Sequence, residues 1–519
     1  MSKVVSAEFA ASLIKDGMTV GVGGFVGFGS PEELLIALQE RYKQTKSPKD
    51  ITIFHCAGLG DGAEKGANHL AEEGLSKRII CAHLGLEPKI SKLLVENKMI
   101  GFCVPQGVTS QMLRATAGKK PGVLTHVGLN TFADPRVEGC KVNQATRDSG
   151  EEIVSLINIE GKNYLLYKSV PIDICFIKGS FCDEDGNTSL EKEALISDQL
   201  EMAAATHNSG GIVILQVDNI VKKGTIKAHD VKIHGFLVDY IVKGSPENSV
   251  QTFAYDYYRP ELSGEITIPL DSVEPMELGN RKVCGRRGAI ELKKGSLVNL
   301  GIGVPEAVAA VAGEEGISGD ITLSIESGVL GGVPTGGLGI GGTVNPEAII
   351  KQPDIFDIYD GGGLDVSFLG AAEIDEKGNV NVSKFGGRVI GPGGFINISQ
   401  NAKKVCFTGT FTAGKLVTKI EDGKLTIIEE GKGIKFKKSV EQITFSADYA
   451  NESGQEILYI TERAVFKLTD KGITLVEIAP GVDLEKDILA NMEFKPIIAE
   501  NLKLMDERIF KDEKMGLSF

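Results

Sequence analysis

The 519 residues contain no CxxC pair, no HExxH pair and no GxSxG elbow. The eight cysteines, Cys56, Cys81, Cys103, Cys140, Cys175, Cys182, Cys284 and Cys406, are scattered along the chain. That spacing signals neither a disulfide framework nor a zinc site, so they read as reduced thiols. All seven histidines lie in the first half. Each reads as a core or surface imidazole, with His55, at the end of ITIFHCAG, the one expected to border a cleft. Without these signatures, triad and metallo-type hydrolases are disfavoured, and a carboxylate remains as the covalent catalyst to look for.

Positive charge is also short. The 56 Lys and Arg face 70 Asp and Glu, a formal charge of -14, so no broad field attracts a nucleic-acid backbone or an anionic membrane. No apolar run reaches the roughly 20 residues that span a bilayer. The N-terminal MSKVVSAEFAASLIKDG carries Glu8, Lys15 and Asp16 within its apolar stretch, which predicts an amphipathic helix rather than a signal peptide. A cytoplasmic, water-soluble protein is expected, and 42% hydrophobic with 24% charged residues suits a folded chain of several domains.

What the chain has in excess is glycine, 64 of 519 residues, against a usual share of about 7%. The excess clusters in stretches such as GGVPTGGLGIGG and GPGG, where the backbone can approach a ligand closely. Short strands alternate with helical stretches, and several strands are continuously apolar, as parallel strands covered on both faces are. GMTVGVGGF reads as a strand entering a glycine loop. SPEELLIALQERY reads as the following helix, with Ser30 at the N-cap, Pro31 at N1 and Glu33 closing a capping box. The class is α/β.

The two halves repeat one another. IDICFIKGSFCDEDGNTS from Ile172 aligns without a gap on LDVSFLGAAEIDEKGNVN from Leu364. DGMTVGVGGFVGFGSPEELL from Asp16 resembles KGSLVNLGIGVPEAVAAV from Lys294, and the order of the two elements is the same in both halves. Two similar open α/β domains in tandem are inferred, 1–270 and 271–519, with the active site at their interface and the boundary in the irregular stretch from about Ser245 to Val283.

The sharpest local feature is GDITLSIESGVLGGVPTGGLGIGG from Gly319. Strand alternation puts Ile321, Leu323 and Ile325 on one face and Thr322, Ser324 and Glu326 on the other. Glu326 is expected as the last strand residue before a turn, at the carboxyl end where open α/β sheets bind ligands. Two readings stand: a solvent-facing carboxylate at a strand end, or a reactive group facing a glycine loop. GLGIGG fits a GxGxxG template at Gly337, Gly339 and Gly342, but it lacks the strand-to-helix context of a dinucleotide fingerprint. The first glycine loop lacks GK[ST], and Glu32 and Glu33 behind it would repel phosphate.

The chain resembles the family I coenzyme A transferases, and its single-chain acetate and propionate branch in particular. DGMTVGVGGFVGFGSP is similar to the family's first signature and IESGVLGG to its second, with Ile325 and Ser327 in place of the serine and asparagine of the common SENG form. VPQGVTSQMLRATAG, GLNTFADPR, VNLGIGVPE, GGGLDVSFLG and GPGGFINISQNAKKVCFTGTFTAG carry the likeness to the C-terminus. The resemblance implies that Glu326 attacks an acyl-CoA thioester, and that CoA passes between short-chain acyl-CoA and short-chain acids through a glutamyl-CoA thioester. A carboxylate nucleophile needs no deprotonating partner at neutral pH. Backbone amides around Gly393 and Gly394 are candidates for the oxyanion, with Gly24 and Phe25 in the facing loop. The family motif adds Gln106 and Asn299 as groups that position substrate or glutamate. CoA is then a substrate, and no cofactor, metal, nucleic acid or membrane partner is implied; a homo-oligomer is the default. An acyl-CoA hydrolase and a non-enzymatic metabolite-sensing domain pair remain the alternatives.

Overall fold

The computed structural model describes residues 3–269 and 276–519. The boundary expected at 270/271 lies outside the described residues. Packing divides the chain into two compact units: Met1–Ile268 with Ile325–Asp357 and Gly386–Asn397, and Pro269–Ser324 with Ile358–Phe385 and Ile398–Phe519. The segment bearing Glu326 thus packs with the first unit, and so does the one bearing Gly393 and Gly394.

The first unit is built on β1 (Thr19–Val22), β2 (Ile51–Phe54), β3 (Ser76–Cys81), β4 (Ile100–Cys103), β5 (Ile174–Asp183), β6 (Ile212–Val221) and β7 (Tyr240–Lys243). They lie in the order β7-β6-β5-β1-β2-β3-β4, and each of these pairs is parallel. The apolar runs of β1 and β2 are buried along their whole length, as a sheet covered on both faces requires. The chain winds outward from β1 to β4 and then returns to start β5 on the other side of β1. The order reverses there, so the carboxyl end of β1 opens into the crevice of a topological switch point.

α1 (Glu32–Thr45) follows β1, but the expected capping box does not form. The N-cap is Pro31, with no side-chain cap of its own, and the Glu33 N–H donates instead to Oε1 of Gln216 on β6 at 3.1 Å. The Glu33 carboxylate turns away and accepts from Ser245 and Asn248. A glutamine on β6, two strands along from β1, has replaced the local cap, which sequence spacing alone does not reveal.

The second unit is built on β8 (Leu297–Leu300), β9 (Thr322–Ser324), β10 (Val366–Leu369), β11 (Lys404–Thr408), β12 (Glu456–Ile460), β13 (Ala464–Thr469), β14 (Gly472–Ile478) and β15 (Ile497–Leu504). They run β9-β8-β10-β11-β12-β13-β14-β15, parallel from β9 to β12 and antiparallel across β12-β13-β14. Val298, Val366, Phe368 and Cys406 form the centre of its core.

The internal repeat is reproduced bond for bond. Val20 lies opposite Ile174 in one sheet and Val298 opposite Val366 in the other. Asp173 accepts from the Thr19 amide at 2.8 Å, and Asp365 from the equivalent Leu297 amide at 2.9 Å. Gly23 donates to the Phe176 carbonyl and Gly301 to that of Phe368. The acidic turns close alike, Asp183 accepting from Asn187 and Asp375 from Asn379.

Candidate active site

The loop after β1 is held in a narrow set of conformations. Gly24 has φ +131, and a Cβ there would come within 2.7 Å of Leu59. Phe25 donates its amide to Phe28, and Val26 donates to Gly58 from a φ of 57. A β-branched residue in the left-handed region is an outlier, held there by its surroundings. Phe25, Val26 and Phe28 are buried in one apolar cluster with Val329.

Val329 belongs to the turn that presents Glu326. Strand β9 ends at Ser324, so Glu326 is a turn residue and not the last residue of the strand. The turn is closed by the Ile325 amide on Val329 and the Gly328 amide on Ile325, both at 2.9 Å. Gly328 has φ +100, and a Cβ there would sit 2.1 Å from the Ile350 carbonyl, so only glycine fits. The buried Ser327 hydroxyl donates to the Gly341 carbonyl at 2.6 Å. Gly341 lies against Phe25, where a Cβ would stand 2.5 Å from the ring. The glycines at 337, 339 and 342 belong to the hairpin between Val333–Pro334 and Thr343–Val344, not to a strand-to-helix junction. Gly342 lets the Phe28 ring meet bare backbone, for a Cβ there would stand 3.0 Å from it, as Gly341 does for Phe25.

α2 (Gln106–Ala117) begins with Gln106, whose amide donates to the Gly393 carbonyl at 2.9 Å. Gly393 in turn donates its own amide to the Ala82 carbonyl at 2.9 Å. That amide is engaged in the fold, which removes Gly393 as an oxyanion donor, and the Phe25 amide is engaged in the same way with Phe28. For the amides of Gly394 and Gly24, no acceptor is seen among the described residues. Among the described residues, the amides that remain for a ligand are thus those of Gly394 and Gly24 rather than those of Gly393 and Phe25.

Gln106 is buried, and its Nε2 donates to Oε1 of Gln352 at 3.0 Å. Gln352 begins the helix Gln352–Asp360, and its Nε2 donates to Ser110 and to Asp198, each at 2.7 Å. The Ile350 amide donates to Gly328. One short path of bonds therefore runs from the Glu326 turn through residues 350–352 to Gln106 and Gly393.

In the second unit, Asn299 sits on β8, facing β9. Its Nδ2 donates to the Ser324 carbonyl at 3.2 Å, two residues ahead of Glu326, and its buried Oδ1 has no hydrogen-bond partner. Tyr359 donates to the Ser324 hydroxyl at 2.8 Å, and that hydroxyl donates to Val298.

His55 does not border a cleft. It is fully buried, with Nε2 3.2 Å from Glu87. Burial opposes its charge, but Glu87 prevails and raises its pKa. His83 lies beside Gly58, Gly85 and Gly393, and burial together with the charge of His55 pushes it down to about 4. Burial, reinforced by Glu201, pushes Asp198 up to about 7. Sequence reasoning missed Gln352, Asp198 and His83, since none lies in a motif and only the fold brings them to Gln106 and Gly393. The described residues hold no group of three or more His, Cys, Asp or Glu suited to a metal, and no helix long and apolar enough to cross a membrane.

Residues 4–244 match the family described as Coenzyme A transferase. The chain is 46% identical to a caffeate CoA-transferase of Acetobacterium woodii, with 100% of this chain and 99% of the relative covered. It is 44% identical to the acetate CoA-transferase YdiF of Escherichia coli O157:H7, over 99% and 96%. A crystal structure of that acyl-CoA transferase as a thioester complex with CoA superposes with a TM-score of 0.93 at 43% identity, covering 100% of this chain and 98% of the other.

Proposed function

The chain belongs to the coenzyme A transferase family and is a CoA-transferase, and from that premise we propose that Glu326 is its nucleophile. The carboxylate attacks the thioester carbonyl of an acyl-CoA, forming an acyl-glutamyl anhydride and releasing CoA thiolate. The thiolate attacks the glutamyl carbonyl, the free acid leaves, and a glutamyl-CoA thioester remains. A second acid reverses the sequence and departs as its CoA ester. Each tetrahedral stage bears an oxyanion, for which the Gly394 and Gly24 amides are the donors. Asn299 steadies the strand that leads into the Glu326 turn, and Gln106 faces the Gly393 loop.

The observation that carries this reading is the fastening of the Glu326 turn. Ser327 bonds to Gly341, Gly328 abuts Ile350, and Val329 packs against the Phe25 loop. A solvent-facing carboxylate at a strand end requires no such support. The acids proposed are acetate, propionate and butyrate. The two relatives differ in their acid, caffeate against acetate, so a panel of donors and acceptors should include caffeate. A cytoplasmic homo-oligomer is proposed.

Incubating the enzyme with acyl-CoA alone tests the assignment. Mass spectrometry should find one CoA added to the peptide that contains Glu326, and Glu326→Gln should bind acyl-CoA and form no adduct. An adduct on a different residue, or full transfer by Glu326→Gln, would overturn it.

A further inference from the structure

Gln106 can present either end of its carboxamide to the space beside Gly393, and the structure assigns which end. A Cβ built at Gly393 would lie 3.7 Å from Oε1 of Gln106, so the carbonyl end faces the glycine. The reason lies two side chains away. Asp198 is buried, and its ionised carboxylate can only accept hydrogen bonds. Gln352 must therefore turn its NH2 to Asp198, as it does at 2.7 Å, which leaves its carbonyl facing Gln106. Gln106 must then give its NH2 to Gln352, at 3.0 Å, and its own carbonyl is left on the Gly393 side. A lone amide has no such preference, because its two ends are nearly equal in shape.

We propose that Asp198 is a positioning residue which, through Gln352, makes Gln106 present a hydrogen-bond acceptor beside Gly393. This rests on the reading of the glycine loop as part of the CoA-transferase site. An acceptor there suits a secondary amide N–H, the group carried twice on the pantetheine arm of CoA, and does not suit an oxyanion. Gln106 is thereby assigned to holding the CoA arm rather than to stabilising the reacting carbonyl.

The relay is also a switch. Asp198 faces the Cys56 thiol, Ser110 and Arg114 on α2, Gln352, and Glu201 on its own helix. Lys351 and Arg114 pair with Glu201, Lys351 at 3.1 Å and Arg114 at 3.7 Å. Oδ1 of Asp198 has no hydrogen-bond partner, so a proton can be taken up there. Its titration near pH 7 has the cause given above. Once protonated, Asp198 can donate, and Gln352 and Gln106 are no longer forced into one orientation.

The test is the affinity of a non-turning-over enzyme. In Glu326→Gln, the dissociation constant for acetyl-CoA, measured by calorimetry, should fall about tenfold as pH rises through about 7, the value of one hydrogen bond. Adding Asp198→Asn should remove the step and leave the weaker affinity at every pH, with little change in melting temperature. Gln352→Met should do the same. In a Gln106→Leu background, Asp198→Asn should have no further effect, because the two act through one contact. A flat profile in the parent protein, which needs no further variant, would overturn the relay, and so would additive effects of Asp198→Asn and Gln106→Leu. If Glu326→Gln proves active in transfer, the nucleophile assignment falls while the affinity step still reads the relay.

Discussion

The Ser327 hydroxyl donates to the Gly341 carbonyl at 2.6 Å, and both groups are buried. This bond ties the turn carrying Glu326 to the hairpin that lies against Phe25. Ser327 stands where the common family form has asparagine, and here it holds the turn of the proposed nucleophile. Ser327→Ala leaves a buried carbonyl without its donor, at a cost of about 1–3 kcal/mol. The turn is then free to shift, and a misplacement near 1 Å costs on the order of 100-fold in rate. Melting temperature and kcat should fall together. A variant with normal values of both would leave Ser327 without a role.

Glu326→Asp should be nearly as inactive in transfer as Glu326→Gln, because a missing methylene withdraws the carboxylate by about 1.5 Å. The fold should be retained, since backbone bonds of Ile325 and Gly328 close the turn. Initial rates at varied acceptor with the native enzyme should give parallel double-reciprocal lines. Intersecting lines would speak against a covalent intermediate.

Much of the scaffold is legible in the sequence, because period and burial act locally. The apolar runs at Ile51 and Ile174 suit strands covered on both faces, and the Asp-x-x-x-Asn turns after β5 and β10 announced the repeat. The division of the chain by packing was not legible. Contacts of Val329 and Gly341 with the Phe25 loop pull residues 325–357 into the first unit, and long-range apolar packing has no signature in spacing. The Glu33 cap failed for the same reason, as Gln216 arrives from a distant strand. Motif reading singled out Glu326 and Gln106 as candidates. It could not show that the Gly393 amide is spent on Ala82, or that Gln352 and Asp198 stand behind Gln106.

The acid side of the stability profile should carry the mark of His83. Its folded pKa of about 4 lies below the ordinary 6.5, so the unfolded chain binds the proton more readily. The stability contributed by neutral His83 is complete above about pH 6.5 and is lost as pH falls towards 4, on the order of 3 kcal/mol in all. Denaturant unfolding at a series of pH values should show this slope, and His83→Asn should flatten it. An unchanged slope in the variant would assign the effect to other groups.

Asp365 should act further down the scale. Partial burial works against its charge, but Lys403 and the Leu297 amide outweigh it and hold its pKa below the usual carboxylate range. A depressed carboxylate stabilises the fold above its ordinary pKa, and that contribution disappears as pH drops below about 4. Asp365→Ala should cost about 1–3 kcal/mol at neutral pH, through the lost amide acceptor. Asp173→Ala, its counterpart on the Thr19 amide, should cost a similar amount. A large difference between the two would mean that the shared geometry of β1-β5 and β8-β10 does not imply shared energetics.

The two adjacent glycines of the GPGG loop should separate cleanly. Gly393 has φ +52 and room around a Cβ, with nothing nearer than 3.7 Å. Its amide is engaged with Ala82, so Gly393→Ala keeps that bond and pays only the left-handed backbone strain, about 1–2 kcal/mol. Melting temperature should drop by a few degrees while kcat holds. Gly394 is buried, and its amide is the proposed oxyanion donor. A β-branched side chain there narrows the allowed backbone and turns the N–H aside. Gly394→Val should therefore lose about 100- to 1000-fold in kcat, with the affinity for acyl-CoA much less affected. Measuring kcat, KM and melting temperature on the same preparations decides the matter. If Gly393→Ala loses turnover without losing stability, or Gly394→Val melts and turns over normally, the donor is not Gly394, and the Gly24 amide is the next to test.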